Sequence, residues 1–302
     1  MDSIDKNILM DFMADCRITY QELALKHGMS ANAIKKRVNK MIEIGVIVEF
    51  YVELSIAMID AELTLCLVTT DGTEDDEVFL NEVGNNMYIN TVGKASGSVY
   101  FVFAACINGS RGLSELGAFL RNLTPVTKVE LHPLLFPAGK KVTFTTTQLM
   151  VLRHLAENPR ISISELASKS GLTARMARKT IDGLKSGGGL LFGVRYNANA
   201  GDSIVFIARI HWDEKATDSG KVIHWLQKRF PDEFFVPMLS AVNPLVFISF
   251  MVNDLQRISE IAREIKKAPG ISKVITIIGE PSKVFPDIRS IRLKELIAEA
   301  GF

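Results

Sequence analysis

Cysteine is scarce. Cys16, Cys66 and Cys106 are the only three in 302 residues, odd in number and far apart, with no C-x-x-C pair. A disulfide framework or thiolate zinc site is therefore excluded, and a reducing compartment with three small buried hydrophobes is expected. Charge of one sign is lacking too. With 35 Lys+Arg against 34 Asp+Glu the formal net charge is +1, which excludes a wholly basic coat and confines any nucleic-acid footprint to a local cluster. Long hydrophobic runs are missing, the longest being around Pro244–Val252, too short to cross a bilayer. The start, Met1-Asp2-Ser3-Ile4-Asp5, is acidic where a signal peptide would be basic, so a cytoplasmic protein without membrane contact is expected. The histidines, His27, His132, His154, His211 and His224, are scattered, and no Ser/His/Asp set, P-loop or metal-ligand spacing appears. No catalytic residue, metal or cofactor is expected.

What the chain does have is apolar content (47% hydrophobic), enough length for several domains, and a repeat. Arg17-Ile18-Thr19-Tyr20-Gln21-Glu22-Leu23-Ala24 corresponds to Arg160-Ile161-Ser162-Ile163-Ser164-Glu165-Leu166-Ala167 at an offset of 143 residues, and Gly28-Met29-Ser30 falls on Gly171-Leu172-Thr173 at the same offset. Further on, Leu113-Ser114-Glu115-Leu116 matches Ile258-Ser259-Glu260-Ile261 at an offset of 145. Two similar halves of about 140 residues follow one another, with a short tail.

Each half opens on a tri-helical pattern. Ile4, Ile8, Leu9 and Phe12 have helical spacing, Thr19-x-x-Glu22 is a capping box, Gly28 stops the second helix and Ser30 caps a third from Ala31 to about Ile44. This is a helix-turn-helix with a modest wing. On the third helix Ile34, Val38 and Met41 face inward. Asn32, Lys35 and Lys36 are positioned as base readers, with Arg37 and Lys40 as phosphate contacts, and Ala31–Lys40 holds four cations and no acid. The second head has a possible box at Thr145-x-x-Gln148, the cap Ser162-x-x-Glu165, inward Ala177, Ile181 and Leu184, outward readers Arg175, Arg178 and Lys179, and Lys185 for a phosphate. Its wing, Ser186-Gly187-Gly188-Gly189, offers either freedom for the head to tilt or a longer turn without a role.

After each head the pattern reads strand, helix, strand, strand, helix, strand, a ferredoxin-like βαββαβ unit. Two helices cover one sheet face, and the other is apolar and needs a partner. It is met either by the second domain of the same chain, as an intramolecular pseudo-dimer, or by a second chain. The expected division is head 1 over 1–50, α/β domain 1 over 51–138, head 2 over 139–197, α/β domain 2 over 198–281 and a helical tail over 282–302, an α+β chain in which two winged heads alternate with two ferredoxin-like domains.

The first head, with Asp5, Ile8-Leu9, Asp15-x-Arg17-Ile18-Thr19, Leu23-Ala24, Gly28-Met29-Ser30, Arg37-Val38 and Gly45-Val46-Ile47, resembles the Lrp/AsnC (leucine-responsive, feast/famine) family, and the βαββαβ unit resembles that family's sensing and dimerisation domain. The resemblance implies transcription regulation, double-stranded DNA bound through the third helices, self-association through the sheets, and a small amino acid as effector. Members carry a Gly-x-x-Asp motif between the middle strands. Here Gly93-Lys94-Ala95-Ser96-Gly97-Ser98 has no Asp, and Ser240-Ala241-Val242-Asn243-Pro244 lacks both residues. A changed ligand or none is expected, with Gly93, Lys94 and Ser96 marking the place.

Two other readings stand beside this one. One is a protein-interaction module whose heads have lost DNA. The other is an enzyme, because some haem-pathway decarboxylases resemble this architecture and pair two such halves. They require an Arg/His-rich segment just after the head, whereas Phe50–Met58 contains neither residue.

Overall fold

A computed structural model describes all 302 residues. The first head consists of α1 (Ser3–Ala14), α2 (Tyr20–His27), α3 (Ala31–Glu43) and the strand β1 (Ile47–Leu54). Its boundaries follow from local chemistry. The Asp2 carboxylate accepts from the Asp5 amide, Thr19 and Glu22 form a reciprocal capping box, and Ser30 accepts from the Ala33 amide. Gly28, at φ 64°, takes the left-handed conformation that ends α2. The second head repeats the plan with α6 (Thr146–Glu157), α7 (Ile163–Lys169), α8 (Ala174–Ser186) and β6 (Leu190–Tyr196), and its Thr145–Gln148 box is also closed in both directions.

The first α/β domain holds β2 (Ala61–Thr70), α4 (Asp76–Gly84), β3 (Ile89–Ala95), β4 (Val99–Ile107), α5 (Ser110–Asn122) and β5 (Val126–Leu135). The second holds β7 (Ile204–Trp212), α9 (Ser219–Arg229), β8 (Phe234–Ser240), β9 (Leu245–Val252), α10 (Leu255–Lys266) and β10 (Ile271–Val284). The sheet orders, β3-β4-β2-β5 and β8-β9-β7-β10, are those of a split βαβ unit. The long apolar stretch of the sequence is β9, buried at every position.

The apolar sheet faces find each other within the chain. They meet face to face and their edges also pair, β5 with β8 and β10 with β3, closing an eight-stranded barrel. Leu65, Leu67 and Phe101 of one sheet pack there against Ile207, Leu245, Phe247 and Ile277 of the other. Helices α4 and α5 bury Cys66, Val68 and Tyr100 on one outer face, and α9 and α10 bury Phe206, Ile248 and Phe250 on the other. All three cysteines are buried and free. The two seams differ. β10 runs alongside β3 from Gly279, opposite Ala95, to Val284, opposite Thr91, whereas β5 meets β8 only at Leu134–Ser240 and Leu135–Leu239.

Three expectations are revised. The division at 50/51 falls inside β1 and that at 281/282 inside β10, because these strands continue into pairings with the opposite half that a half read alone does not reveal. The glycine wing of the second head is not a source of freedom. Gly188 accepts from the Lys140 amide, Gly189 accepts from the Ser55 amide, and a Cβ on Gly189 would lie 2.4 Å from Val142, so these glycines let the linker between the halves press against the head. The tail helix α11 (Ile288–Glu299) packs Leu293 and Ile297 into the core of the second head, beside Val52 and Leu54 of β1, rather than onto a barrel sheet.

Inside the barrel, His132 of β5 is 5% exposed, edge-on to Phe247 with ring centroids 5.1 Å apart. Burial and the nearby Arg209 guanidinium push it below the ordinary histidine range, with His211 adding to and Glu130 opposing the shift. Burial alone would raise Glu130, but hydrogen bonds from Arg209 and Lys128 hold it down to about 2. His211, facing Arg209 and Lys273, is also pushed down, chiefly by burial. A histidine with a depressed folded-state pKa is protonated first in the unfolded chain, so stability falls as pH drops below about 6.5. Urea unfolding between pH 7 and pH 5, above the titration of Glu130, should show this loss. His132→Leu should reduce the slope by up to about 1.4 kcal/mol per pH unit relative to the parent. An unchanged slope would place the acid sensitivity elsewhere.

Candidate nucleic-acid interface

The two heads are built into one body by reciprocal contacts. β1 and β6 pair antiparallel, from Ile47 opposite Tyr196 to Leu54 opposite Leu190, and form a two-stranded ribbon shared by both heads. Gly193 lies directly across from Tyr51, and a Cβ there would sit 2.5 Å from the tyrosine ring, so only glycine lets that ring cross the ribbon. Arg17 donates to the carbonyls of Pro159 and, at 2.9 Å, Ile161. Its repeat counterpart Arg160 donates to the carbonyls of Cys16 and, at 3.2 Å, Ile18. The four acceptors are related by the same offset of 143 residues, so the clamp is a pseudo-twofold. Arg160 also lies over the rings of Phe12, Tyr20 and Phe50 at 4.9, 5.1 and 5.1 Å.

Each head borrows its core from the other half. The first packs Ile8, Leu9, Phe12, Ile34 and Val38 against Val194 of β6 and against Phe235 and Met251 of the second α/β domain. Lys6, 3% exposed, fixes this docking by donating to the carbonyls of Pro231 and Phe234 at 2.8 and 3.3 Å and also to Asp232. Burial pushes its ammonium below the usual lysine range. The second head packs Val151, Leu152, Ile181 and Leu184 against Cys16, Val52 and Leu54.

This frame leaves the outer faces of α3 and α8 free. Ile34, Val38 and Met41, and likewise Ala177, Ile181 and Leu184, are buried as their spacing requires. Asn32, Lys35, Lys36, Asn39 and Lys40 are exposed and line one groove with Glu43 and Ile44. Arg175, Arg178 and Lys179 are exposed on α8. They occupy the repeat positions of Asn32, Lys35 and Lys36, while the positions of Asn39 and Lys40 are taken by Asp182 and Gly183. None of Lys35, Lys36, Lys40, Arg175, Arg178 and Lys179 has a carboxylate partner. The other two expected phosphate contacts are engaged. Arg37 bonds Asp2 and Asp5 of α1 at 2.7 and 2.8 Å, which raises its pKa above the ordinary value, and Lys185 is paired with Asp15 of the opposite head.

Of the three residues marked for an effector, Gly93 and Lys94 both line a cavity inside the barrel and Ser96 does not. Lys94 is held by Asp76 of α4 at 2.5 Å, and the Ser96 hydroxyl accepts from the Ile278 amide in the β3–β10 seam. Sequence reasoning missed the positioning residues Lys6, Arg17 and Arg160. The signal for the arginines was present, since they open the matched octapeptides, but nothing in a single half says that each reaches into the other.

An AsnC-type helix-turn-helix domain matches residues 1–42, and a winged helix-turn-helix DNA-binding domain matches residues 144–185. An uncharacterized HTH-type transcriptional regulator of Pyrococcus abyssi is 31% identical over 135 residues, covering 42% of this chain and 81% of that protein. A second, from Pyrococcus furiosus, is 24% identical over 131 residues, covering 43% of this chain and 86% of that protein. Each relative thus has about the length of one half. Among solved structures, the siroheme decarboxylase NirDL in complex with an iron-uroporphyrin III analogue superposes with a TM-score of 0.59 at 14% identity over 99% of both chains, a likeness of fold. These matches and the paired heads define a helix-turn-helix regulator. The chain belongs to the Lrp/AsnC family, in a tandem form that carries the head and α/β unit twice.

The clamp has a measurable worth. Replacing Arg17 or Arg160 by Ala should cost about 1.5–3 kcal/mol each, the range for hydrogen bonds from charged donors. Lysine should restore only part of this, because one ammonium cannot present the guanidinium fork to two carbonyls. Urea denaturation of the full chain checks both statements, and a change within error for both alanine variants would show the clamp to be idle.

Proposed function

We propose that the chain is a sequence-specific DNA-binding transcriptional regulator in which one polypeptide supplies both members of a head pair. The observation that carries this reading is the set of exposed cations on α3 and α8 without carboxylate partners, held on two heads that the ribbon and clamp fix to each other. Asn32, Lys35 and Lys36, and Arg175, Arg178 and Lys179, enter the major groove, and Lys40 meets phosphate. Arg37 and Lys185 would reach phosphate only by giving up their carboxylates, so they contribute less. We place the protein in the cytoplasm and assign it no catalytic step.

The fold it shares with a siroheme decarboxylase favours one other reading, tetrapyrrole decarboxylation. One feature opposes it. The segment Phe50–Met58 offers no His or Arg to an acidic macrocycle.

Because the readers differ between the heads, selection from random duplexes should return an asymmetric site bound by one chain. A perfect palindrome with one chain per half-site would overturn the pairing. Replacing Arg175 or Lys35 should cost about 1–3 kcal/mol at one base position. Lys40→Ala should weaken all sequences alike and flatten the slope of log affinity against log salt by about 0.9. Gel-shift titration at several salt concentrations separates the two, and absence of salt-sensitive binding by the folded chain would leave the interaction-module reading in place.

A further inference from the structure

The barrel is filled unevenly. Leu65, Leu67, Leu245 and Phe247 pack part of its interior, but towards the β3–β10 seam the filling stops. There β10 shifts register between Gly279 and Ser282, and Gly93 and Gly279 contribute no side chains. A cavity of about 300 Å³ remains, bounded by both sheets, by the ribbon strand β6 and by the tail. Its apolar wall is formed by Phe101, Phe103, Ile207 and Met238, with Tyr51 and Tyr196 adding aromatic faces.

The polar wall is set by a buried ion network. The Glu53 and Asp287 side chains are 2% and 0% exposed, and those of Arg195 and Arg289 are 13% and 7% exposed. Arg289 donates Nε to Asp287 at 2.8 Å and sets Nη2 2.9 Å from Glu53 Oε2, which accepts no hydrogen bond. Arg195 gives Nη2 to Glu53 and sets Nε 2.7 Å from the half-exposed Glu49. Both arginines line the cavity, and neither has a partner within the chain for Nη1. Burying such a network is costly, and its remaining donors need acceptors. Arg195, Arg289 and Lys94 stand against Glu53, Asp287 and Glu280, with the half-exposed Glu49 screened by solvent, so the wall is close to balanced and an added anion or cation would go largely uncompensated. An uncharged acceptor meets the free donors without that cost.

We propose that this cavity binds a small uncharged molecule with an aromatic or otherwise apolar body and a carbonyl-type acceptor, the acceptor directed at Arg195 and Arg289 and the body at Phe101, Phe103 and Met238. The proposal does not depend on the DNA-binding reading. Its occupant would touch Val194, Arg195 and Tyr196 of β6, the strand that joins the heads.

The test uses the full chain with ¹³C-methyl methionine, the Met238 resonance being assigned from Met238→Leu. Benzamide, benzoate and benzylammonium are probes of one size that differ in charge. Benzamide is expected to shift the Met238 methyl saturably, and the two ions to bind at least tenfold more weakly. Ser249→Phe fills the cavity from β9 without touching the ion network and should abolish the shift while the other methionine methyls keep their folded positions. If that variant does not fold, Val236→Phe fills the same space from β8. No benzamide shift at Met238 up to its solubility limit, or unaltered binding in a folded filled variant, would overturn the site. Benzoate or benzylammonium binding as tightly as benzamide would overturn the uncharged class.

Discussion

Much of what orients each head is supplied by the other half of the chain. The β1–β6 ribbon, the crossed arginines Arg17 and Arg160, and the borrowed side chains Val52, Leu54 and Val194 all act between halves. The clamp joins backbone carbonyls to guanidiniums rather than side chain to side chain, so its geometry is set by the turns after α1 and α6 and tolerates change in neighbouring residues. The barrel below follows the same rule, since each sheet has an apolar face and two open edges and the other sheet satisfies them all. Neither half presents a finished surface by itself.

That dependence explains how far the sequence could be read. Elements set by local chemistry were legible. The Thr19–Glu22 and Thr145–Gln148 boxes, the Gly28 stop and the strands Val99–Ile107, Val126–Leu135 and Leu245–Val252 fall where spacing and capping put them. The inward triads of α3 and α8 were legible for the same reason. Features set by the opposite half were not. β10 extends to Val284 because β3 offers it an edge, and no alternation in Gly279–Val284 announces this. Lys6 sits beside the apolar face of α1 and reads as solvated until the carbonyls of the second domain are placed against it. The glycines after α8 look like slack and turn out to mark a close backbone approach.

Of the residues singled out for DNA, the exposed readers of α3 and α8 keep their freedom while Arg37 and Lys185 are tied into the frame. A basic residue on a recognition helix therefore has two competing uses, and burial of the helix base decides between them. Arg37 is drawn to α1 by Asp2 and Asp5, both placed by the α1 cap, and stiffens the head that carries the readers. The cavity in the barrel divides its residues in a similar way. Gly93 lines it with bare backbone, whereas Lys94, which also lines it, gives its ammonium to Asp76 of α4.

The ribbon that unites the heads lies within one covalent chain, and this changes how occupancy depends on copy number. Heads on separate chains must find each other before they can act as a pair, so at low abundance the paired form thins out with the square of concentration. Here pairing is unimolecular, and each partner meets the other at the effective concentration fixed by the connecting polypeptide. Dilution leaves the pair intact. The number of complete readers rises in direct proportion to the number of chains made, so even a few copies per cell would carry both heads to a site together.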